Sequence, residues 1–256
     1  MFAIERLNKI KEILLQEKRV DVFELSEMFS VTEVTIRRDL DKLEREGFLI
    51  KTYGGAVLNK KQFSVGQMFD SQEKSSEEKQ MIGKIASEMI EDGDAIFLSP
   101  GSTCLEIAKN IKQKRLTVVT NDLIIGYELR NYTGLKVIVT GGDLIQSTST
   151  LTGGFALHAL NGIYISKAFI GVKGINFNSG YTVDSYEEVM VIGEVLKKSS
   201  DIIIVADYTK FNYTAFARLG DLSIAKKVIT NKQVPTDFKK YYFENNIKLY
   251  TTFEFE

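Results

Sequence analysis

The sequence predicts an α/β protein in two parts: three short helices and a β-hairpin first, then a mostly parallel, doubly wound sheet. Three observations predict it. The chain has 256 residues, more than one typical domain of ~100–200 residues and fewer than three comfortable ones. Up to about residue 57 apolar residues recur at helical spacing and end on a Gly-Gly pair. Beyond residue 94 short apolar runs alternate with helical patterns, as buried strands do in a sheet with helices on both faces. The boundaries drawn from this are a first unit at 1–57, a linker at 58–75 and a second unit at 76–256.

Composition excludes several function classes. Hydrophobic residues make up 44% and charged residues 26%, ordinary globular usage that argues against wholesale disorder. Thirty-three Lys+Arg against 34 Asp+Glu give a net charge of −1, so the chain is not a globally basic nucleic-acid binder and a DNA partner must be argued from local patterning. One histidine, His158, and one cysteine, Cys104, exclude a disulfide framework, a His/Cys zinc cage and a dyad needing a second histidine. No metal site, cofactor or catalytic residue is expected. The single cysteine and the lack of a signal-peptide pattern point to a reducing cytoplasm. No run approaches the ~18–20 apolar residues of a membrane span.

The first helix is expected at 4–17, with Ile4, Leu7, Ile10, Leu14 and Leu15 on one stripe. Asp21 is a plausible N-cap for a second helix at 21–29, with Glu24 three residues on. After a break at Ser30-Val31, Thr32 opens a third helix that stops at Gly47. Ile36, Leu40 and Leu43 share a narrow sector of that helix. Arg38, Lys42 and Arg45 fall opposite, and Glu33, Asp39, Asp41, Glu44 and Glu46 flank the two sectors. The run 48–57 around Gly54-Gly55 reads as a hairpin wing. In a helix–turn–helix the start of the second motif helix enters the major groove, where short polar side chains reach base edges and arginine meets guanine or phosphate. Thr32, Glu33, Thr35, Arg37 and Arg38 stand at that end. Lys51, Thr52 and Tyr53 on the wing fall near phosphate backbone or minor groove.

The second part begins with a long helix at about 76–91. Strands are expected at 94–99, 116–120, 135–140, 167–172, 201–206 and 226–230, and helices at 103–112, 122–130, 155–161, 186–199 and 222–227. Ligands of open α/β sheets bind beyond the carboxyl ends of strands. The first such loop, Ser99–Thr103 (SPGST), joins a strand to a helix start, where free backbone N–H groups and the helix dipole favour an anion. Ser99, Gly101, Ser102 and Thr103 thus make a phosphate cradle. It is not a Walker loop, since no Gly-Lys-Ser/Thr follows. Other strand-end loops carry Asn121 and Asp122 for sugar hydroxyls, Gly141 and Gly142, and Lys173, Asp207 and Lys210 for a phosphate and its surroundings. For each residue alone a helix cap, turn or surface charge is the plainer role, and Asn121-Asp122 can simply cap the helix at 122–130.

The run 35–56, TIRRDLDKLEREGFLIKTYGGA, resembles the signature of the DeoR family of bacterial winged helix–turn–helix regulators. The resemblance continues in order through SPGST, TNDL, TGG, FIGVKGI, Glu188 in YEEV and DYTKF, covering about residues 4–232. It implies DNA contact by Thr35, Arg37 and Arg38, beside which Lys42 of the basic stripe is also expected at the DNA, and a second domain of the ribose-5-phosphate isomerase and CoA-transferase fold group that binds a phosphorylated sugar. The family often has Asp where Ser166 or Lys167 stands, and Ser where Thr209 stands. Lys173 is also untypical. The implied partners are double-stranded operator DNA and a phosphorylated sugar effector, with assembly as a homodimer or homotetramer that matches symmetric half-sites. The alternative is a sugar-phosphate isomerase with an accessory DNA-binding unit. It needs a positioned base, and the acids Asp122, Asp143, Asp184, Glu188 and Asp207 lie in no motif of that kind. A DNA-binding protein with a vestigial pocket is the third reading. His158, in the helix-like FALHAL, reads as a packed or surface histidine.

Overall fold

The computed structural model describes residues 3–17, 19–45, 48–58 and 77–251. Gly47 and nearly all of the segment expected as linker therefore lie outside the described residues. The chain divides into two compact units, Met1–Gln72 and Glu73–Glu256.

The first unit contains α1 (Ala3–Glu17), β1 (Arg19–Asp21), α2 (Val22–Phe29), α3 (Glu33–Arg45), β2 (Leu49–Thr52) and β3 (Gly55–Leu58). Asp21 caps α2, its carboxylate accepting from the N–H groups of Phe23 at 2.7 Å and Glu24 at 3.3 Å. Ser30, at φ 52°, ends the helix in the left-handed region and turns the chain toward α3. The helices bury Leu7, Ile10 and Leu14 of α1, Leu25 and Phe29 of α2, and Ile36, Leu40 and Leu43 of α3 in one core. The side chains of Ile4 and Leu15 are outside the described residues. The wing is a three-stranded antiparallel sheet in the order β1–β3–β2. Strand β1 is an addition that three residues of sequence gave no periodicity to reveal.

One expectation for α3 is corrected. Asp39 does not flank the basic face; it is buried and accepts from Arg6 Nε at 2.5 Å. Arg6 is buried as well. Removing one partner of such a pair strands the other charge away from water, at about 3–5 kcal/mol. Asp39→Ala should thus lose most of the stability of this small unit. In calorimetry of the whole protein a transition should move to lower temperature while the larger unit's transition stays; an unmoved profile would contradict the pair's role.

The second unit is built on a seven-stranded, wholly parallel sheet: β4 (Ala95–Leu98), β5 (Leu116–Thr120), β6 (Leu135–Val139), β9 (Ile165–Gly171), β12 (Ser199–Val205), β14 (Lys227–Thr230) and β15 (Lys248–Thr251). Their order is β15–β14–β12–β9–β4–β5–β6. One face packs against α4 (Glu77–Glu88), α5 (Ser102–Asn110) and α6 (Leu123–Leu129) through Ile82, Ala86, Ile107, Ala108, Ile125 and Leu129. The other packs against α7 (Gly153–Ala159), α8 (Tyr186–Lys198) and α9 (Thr236–Glu244) through Ala156, Val191, Val195, Phe238 and Tyr242. This is the doubly wound arrangement. The antiparallel strands stand apart, as the hairpin β7 (Asp143–Ile145) with β8 (Thr150–Thr152), and as a small sheet of β10 (Gly174–Asn176), β11 (Gly180–Val183) and β13 (Ala217–Gly220).

Two expectations differ. The helix expected at 222–227 is a single 3-10 turn, Leu222–Ile224, because Lys227 already begins β14. Helix α9 and strand β15 close the sheet where no element was expected. The carboxylate missing at Ser166 and Lys167 is supplied from the neighbouring strand's start by Asp94: Ser166 Oγ donates to its Oδ1 at 2.9 Å and Lys167 Nζ to its Oδ2 at 2.5 Å. Burial raises the Asp94 pKa, but hydrogen bonds from the Glu91 backbone, Lys167 and Ser166 outweigh it and hold the carboxyl below its usual range. This triad lies at the amino ends of β4 and β9, away from the strand-end loops, and its role is structural.

Candidate functional site

On the first unit, the exposed surface of α3 carries the residues singled out for DNA. Thr32 and Thr35 stand at its start, their hydroxyls 3.1 Å apart. Arg37 donates to Glu33 at 3.0 Å, an i,i+4 pair that is half exposed on both sides. Such a surface pair is worth about 0.5 kcal/mol or less and can open when a phosphate or base arrives. Arg38, Lys42 and Arg45 are exposed. Lys51 is tied to α3 instead of standing alone: its backbone N–H donates to Glu44 at 3.0 Å and its ammonium pairs with Asp41. Tyr53 is fully exposed at the tip of the wing. The face is thus basic in Arg37, Arg38, Lys42 and Arg45, with its acids partly spent on pairing.

In the second unit the chain runs β4, β5, β6 toward one edge of the sheet, then returns to place β9, β12, β14 and β15 on the other side of β4. Strand order reverses between β4 and β9, and the loops leaving these two strands diverge to leave a crevice there. A cleft occupies it. It is lined by Pro100, Gly101, Ser102, Thr103 and Cys104 after β4, by Gly171, Val172 and Lys173 at the end of β9, and by Lys79, Val183, Glu188 and Lys210.

The start of α5 makes one wall. Gly101 precedes the helix at φ 121°, a conformation that L side chains rarely adopt, and no side chain caps the first turn. The N–H groups of the first turn and the helix dipole therefore face the cleft with no side-chain cap of the helix's own. Lys173 and Lys210 add positive charge; Lys173 Nζ lies 3.5 Å from Asp184 and Lys210 Nζ 3.9 Å from Asp207. Glu188 is the one carboxylate among the lining residues. Burial, with Asp184 adding to it and Lys173 opposing it, pushes its carboxyl up to about 7.

Several expected ligands are placed behind this surface. Ser99 is buried, and its Oγ accepts from Gly171 N–H at 2.8 Å, which fastens the β4 loop to the β9 loop. Asp122 is buried too: Oδ1 accepts from Ile124 and Ile125 at the start of α6, and Oδ2 accepts from Gly101 N–H at 3.1 Å. Burial raises its pKa to about 6 against these three backbone hydrogen bonds. Asn121 is fully buried and donates to the Leu151 carbonyl at 3.0 Å. Both were expected to meet sugar hydroxyls; as folded, Asp122 spends both oxygens on backbone N–H groups, while Asn121 donates to the backbone and its buried Oδ1 meets no partner among the described residues. Asp207 caps the 3-10 turn Tyr208–Lys210 through the Thr209 N–H at 2.9 Å and the Thr209 hydroxyl. Thr209 serves there as serine would. Gly141 and Gly142 lie in the β6–β7 connection and are not among the lining residues. Lys79 was missed. Its signal was its register: with Ile82, Gly83, Ala86 and Ser87 it forms the buried stripe of α4, although the polar run Glu77-Glu78-Lys79-Gln80 conceals it. Cys104 lies fully buried beneath the loop, and burial pushes its thiol up to about 12, so it stays protonated and unreactive.

The sequence matches the DeoR-like helix-turn-helix domain over residues 6–62 and the DeoR C terminal sensor domain over residues 74–232. The chain belongs to the DeoR family. As a DeoR-family protein it is a DNA-binding transcriptional regulator. It is similar along nearly its whole length to the HTH-type transcriptional repressor GlcR of Bacillus subtilis, with 30% identity over 98% of this chain and 97% of that one. The HTH-type transcriptional regulator GolR of Listeria innocua shares 31% identity over 91% and 92%. The glycerol-3-phosphate regulon repressor of Escherichia coli shares 27% over 97% and 99%. Ribose 5-phosphate isomerase from Plasmodium falciparum overlays 53% of this chain and 52% of its own at a TM-score of 0.39 and 16% identity. No helix among the described residues of this DeoR-family chain is long and apolar enough to cross a membrane.

The raised pKa of Glu188 makes a testable statement. Sulfate stays doubly charged through neutral pH, so its affinity reports the cleft's own charge. As pH falls from about 8 to about 6, Glu188 takes up a proton, the cleft becomes more positive, and sulfate binding measured by calorimetry should tighten several-fold. Between about pH 8 and pH 7, above the titration of Asp122 at about 6, Glu188→Gln should bind tightly and flatten the profile. A slope that survives in this variant would assign the titration elsewhere.

Proposed function

We propose that this protein is a transcriptional repressor whose hold on operator DNA is modulated by a phosphorylated sugar or sugar alcohol bound in the cleft beyond β4 and β9. The observation that carries this is the cleft's chemistry: an uncapped helix start and lysines at the point where strand order reverses, which suits a phosphate dianion. Ser102, Thr103, Lys173 and Lys210 are the residues for the phosphate, and Glu188 for a hydroxyl. Asp122, Ser99 and Asp207 hold the loops that present them. Thr32, Thr35, Arg37 and Arg38 meet the operator's major groove, Lys42 and Arg45 its phosphates, and Lys51 and Tyr53 its backbone or minor groove. Glu33 releases Arg37 on docking. Operator symmetry calls for at least a dimer, acting in the cytoplasm where the DNA lies.

The relatives named for glycerol-3-phosphate control and for repression support the ligand class and the sign of control. The effector works by binding two states of the protein with different affinity, so that its binding energy is drawn from the DNA-bound form.

The test uses operator DNA recovered by selection from a random duplex library. Fluorescence anisotropy on it is repeated with a panel of sugar phosphates while each is assayed for turnover. One sugar phosphate should shift DNA affinity and none should be consumed. Arg38→Ala should weaken DNA binding by about tenfold, with a salt slope lower by about one, and leave sugar-phosphate binding intact. Ser102→Trp should keep DNA binding and lose the response. Turnover of a sugar phosphate without selection of any operator would overturn this reading and favour the isomerase alternative.

A further inference from the structure

Val34 is 66% exposed in the first turn of α3. Single apolar side chains scattered over a surface are usual, but Val34 is set apart by its direction. At about 100° per residue it stands opposite Ile36, Leu40 and Leu43, the row that anchors α3 in the core. It therefore heads the outward row of the helix, followed by Arg38, Asp41 and Arg45. Arg38 and Arg45 are exposed, and the charge of Asp41 is answered by Lys51.

Two local features make Val34 prominent there. The polar groups around it are turned to one another: the Thr32 and Thr35 hydroxyls lie 3.1 Å apart, and Arg37 donates to Glu33 at 3.0 Å. A β-branched residue is also a poor choice on helical grounds, because it loses rotamer freedom against the preceding turn. Val34 lies outside the core of its unit, so packing there does not offset that loss. Its apolar surface is available to whatever α3 meets.

In the major groove the base edges present donors, acceptors and one apolar group, the C5 methyl of thymine. The first residues of the recognition helix are the ones that reach those edges. We propose that Val34 packs on the C5 methyl of one thymine in each operator half-site and selects thymine over cytosine there. The proposal rests on α3 lying in the major groove. A cytosine at that position would turn its amino group onto a side chain that accepts no hydrogen bond, and would lose water for nothing. Arg38 follows Val34 on the same row, with Cβ atoms about 5–6 Å apart. At about 3.4 Å per base pair, the thymine falls within about two base pairs of the group that Arg38 meets.

The experiment uses the full chain and the operator recovered by selection. Each thymine in turn is replaced by deoxyuridine, which keeps every hydrogen-bonding group of the base and lacks only the methyl. For wild-type protein, anisotropy should show a loss of about fourfold, the worth of one buried methyl group, at one thymine of each half-site. Val34→Ala should bind the unmodified operator about fourfold more weakly and should bind the thymine and uracil forms of that position equally. The substitution is on the surface, and circular dichroism should show the helices unchanged. Wild-type affinity that is indifferent to every methyl overturns this inference. So does a methyl loss of the same size in Val34→Ala. Both of these results leave α3 as the operator helix, which Arg38→Ala tests separately. If no operator is selected and Arg38→Ala changes nothing, that reading and this inference fall together.

Discussion

The sensing unit depends on one buried carboxylate. Asp122 divides its two oxygens between two helix starts: one closes the first turn of α6, the other takes the Gly101 N–H just before α5. The turn after β5 is thereby bolted to the turn after β4. Ser99 bolts the turn after β4 to the end of β9 in the same way. With its entry fixed from both sides and no side chain of its own as a cap, α5 is held with its first N–H groups unanswered. Such a site is organised before a ligand arrives, so binding spends little on ordering the loop. The cost is visible in Asp122 itself, whose carboxyl burial pushes up to about 6.

Charge follows the same pattern of local arrangement beneath a neutral total. Residues 1–57 hold 10 Lys+Arg and 11 Asp+Glu, yet Asp39 is buried with Arg6 and Asp41 is paired with Lys51 at the surface. What remains outward along α3 is mainly the arginines and Lys42. The second unit does likewise: Asp94 is absorbed by Ser166 and Lys167 at the amino ends of the strands, while the lysines gather at the carboxyl ends around the cleft. In both units the placement of charges, with acids paired away from these faces, and not an excess of bases, makes the surface that anions meet. A small basic face of this kind gives modest, salt-sensitive affinity per chain, which suits a regulator that works through paired half-sites and a ligand.

The sequence made the large features legible because they rest on periodicity. The helices of the first unit, the Gly-Gly wing, and the alternation of apolar runs with helical patterns all show in spacing alone, and SPGST marked the cradle by its place after a strand. What stayed hidden depends on tertiary partners. Asn121 and Asp122 look like ligands because polar residues at a strand end usually face solvent; only the packing of β8 and of the β4 loop over them turns them inward. Lys79 sits in a polar run whose burial is decided by α5, more than twenty residues later. Strands of three or four residues, such as β1, β7 and β10, are too short to show alternation, and α9 lies where aromatic and charged residues mix without a clear stripe.

The central claim is that a dianion docks at the uncapped start of α5. Backbone amide chemical shifts of the isotopically labelled chain, titrated with inorganic phosphate, test it most directly. Saturable shifts at Ser102, Thr103 and Cys104, spreading to the neighbours of Lys79, Lys173 and Lys210, are the predicted result. No saturable shift at these amides, or shifts centred on another part of the chain, would contradict it.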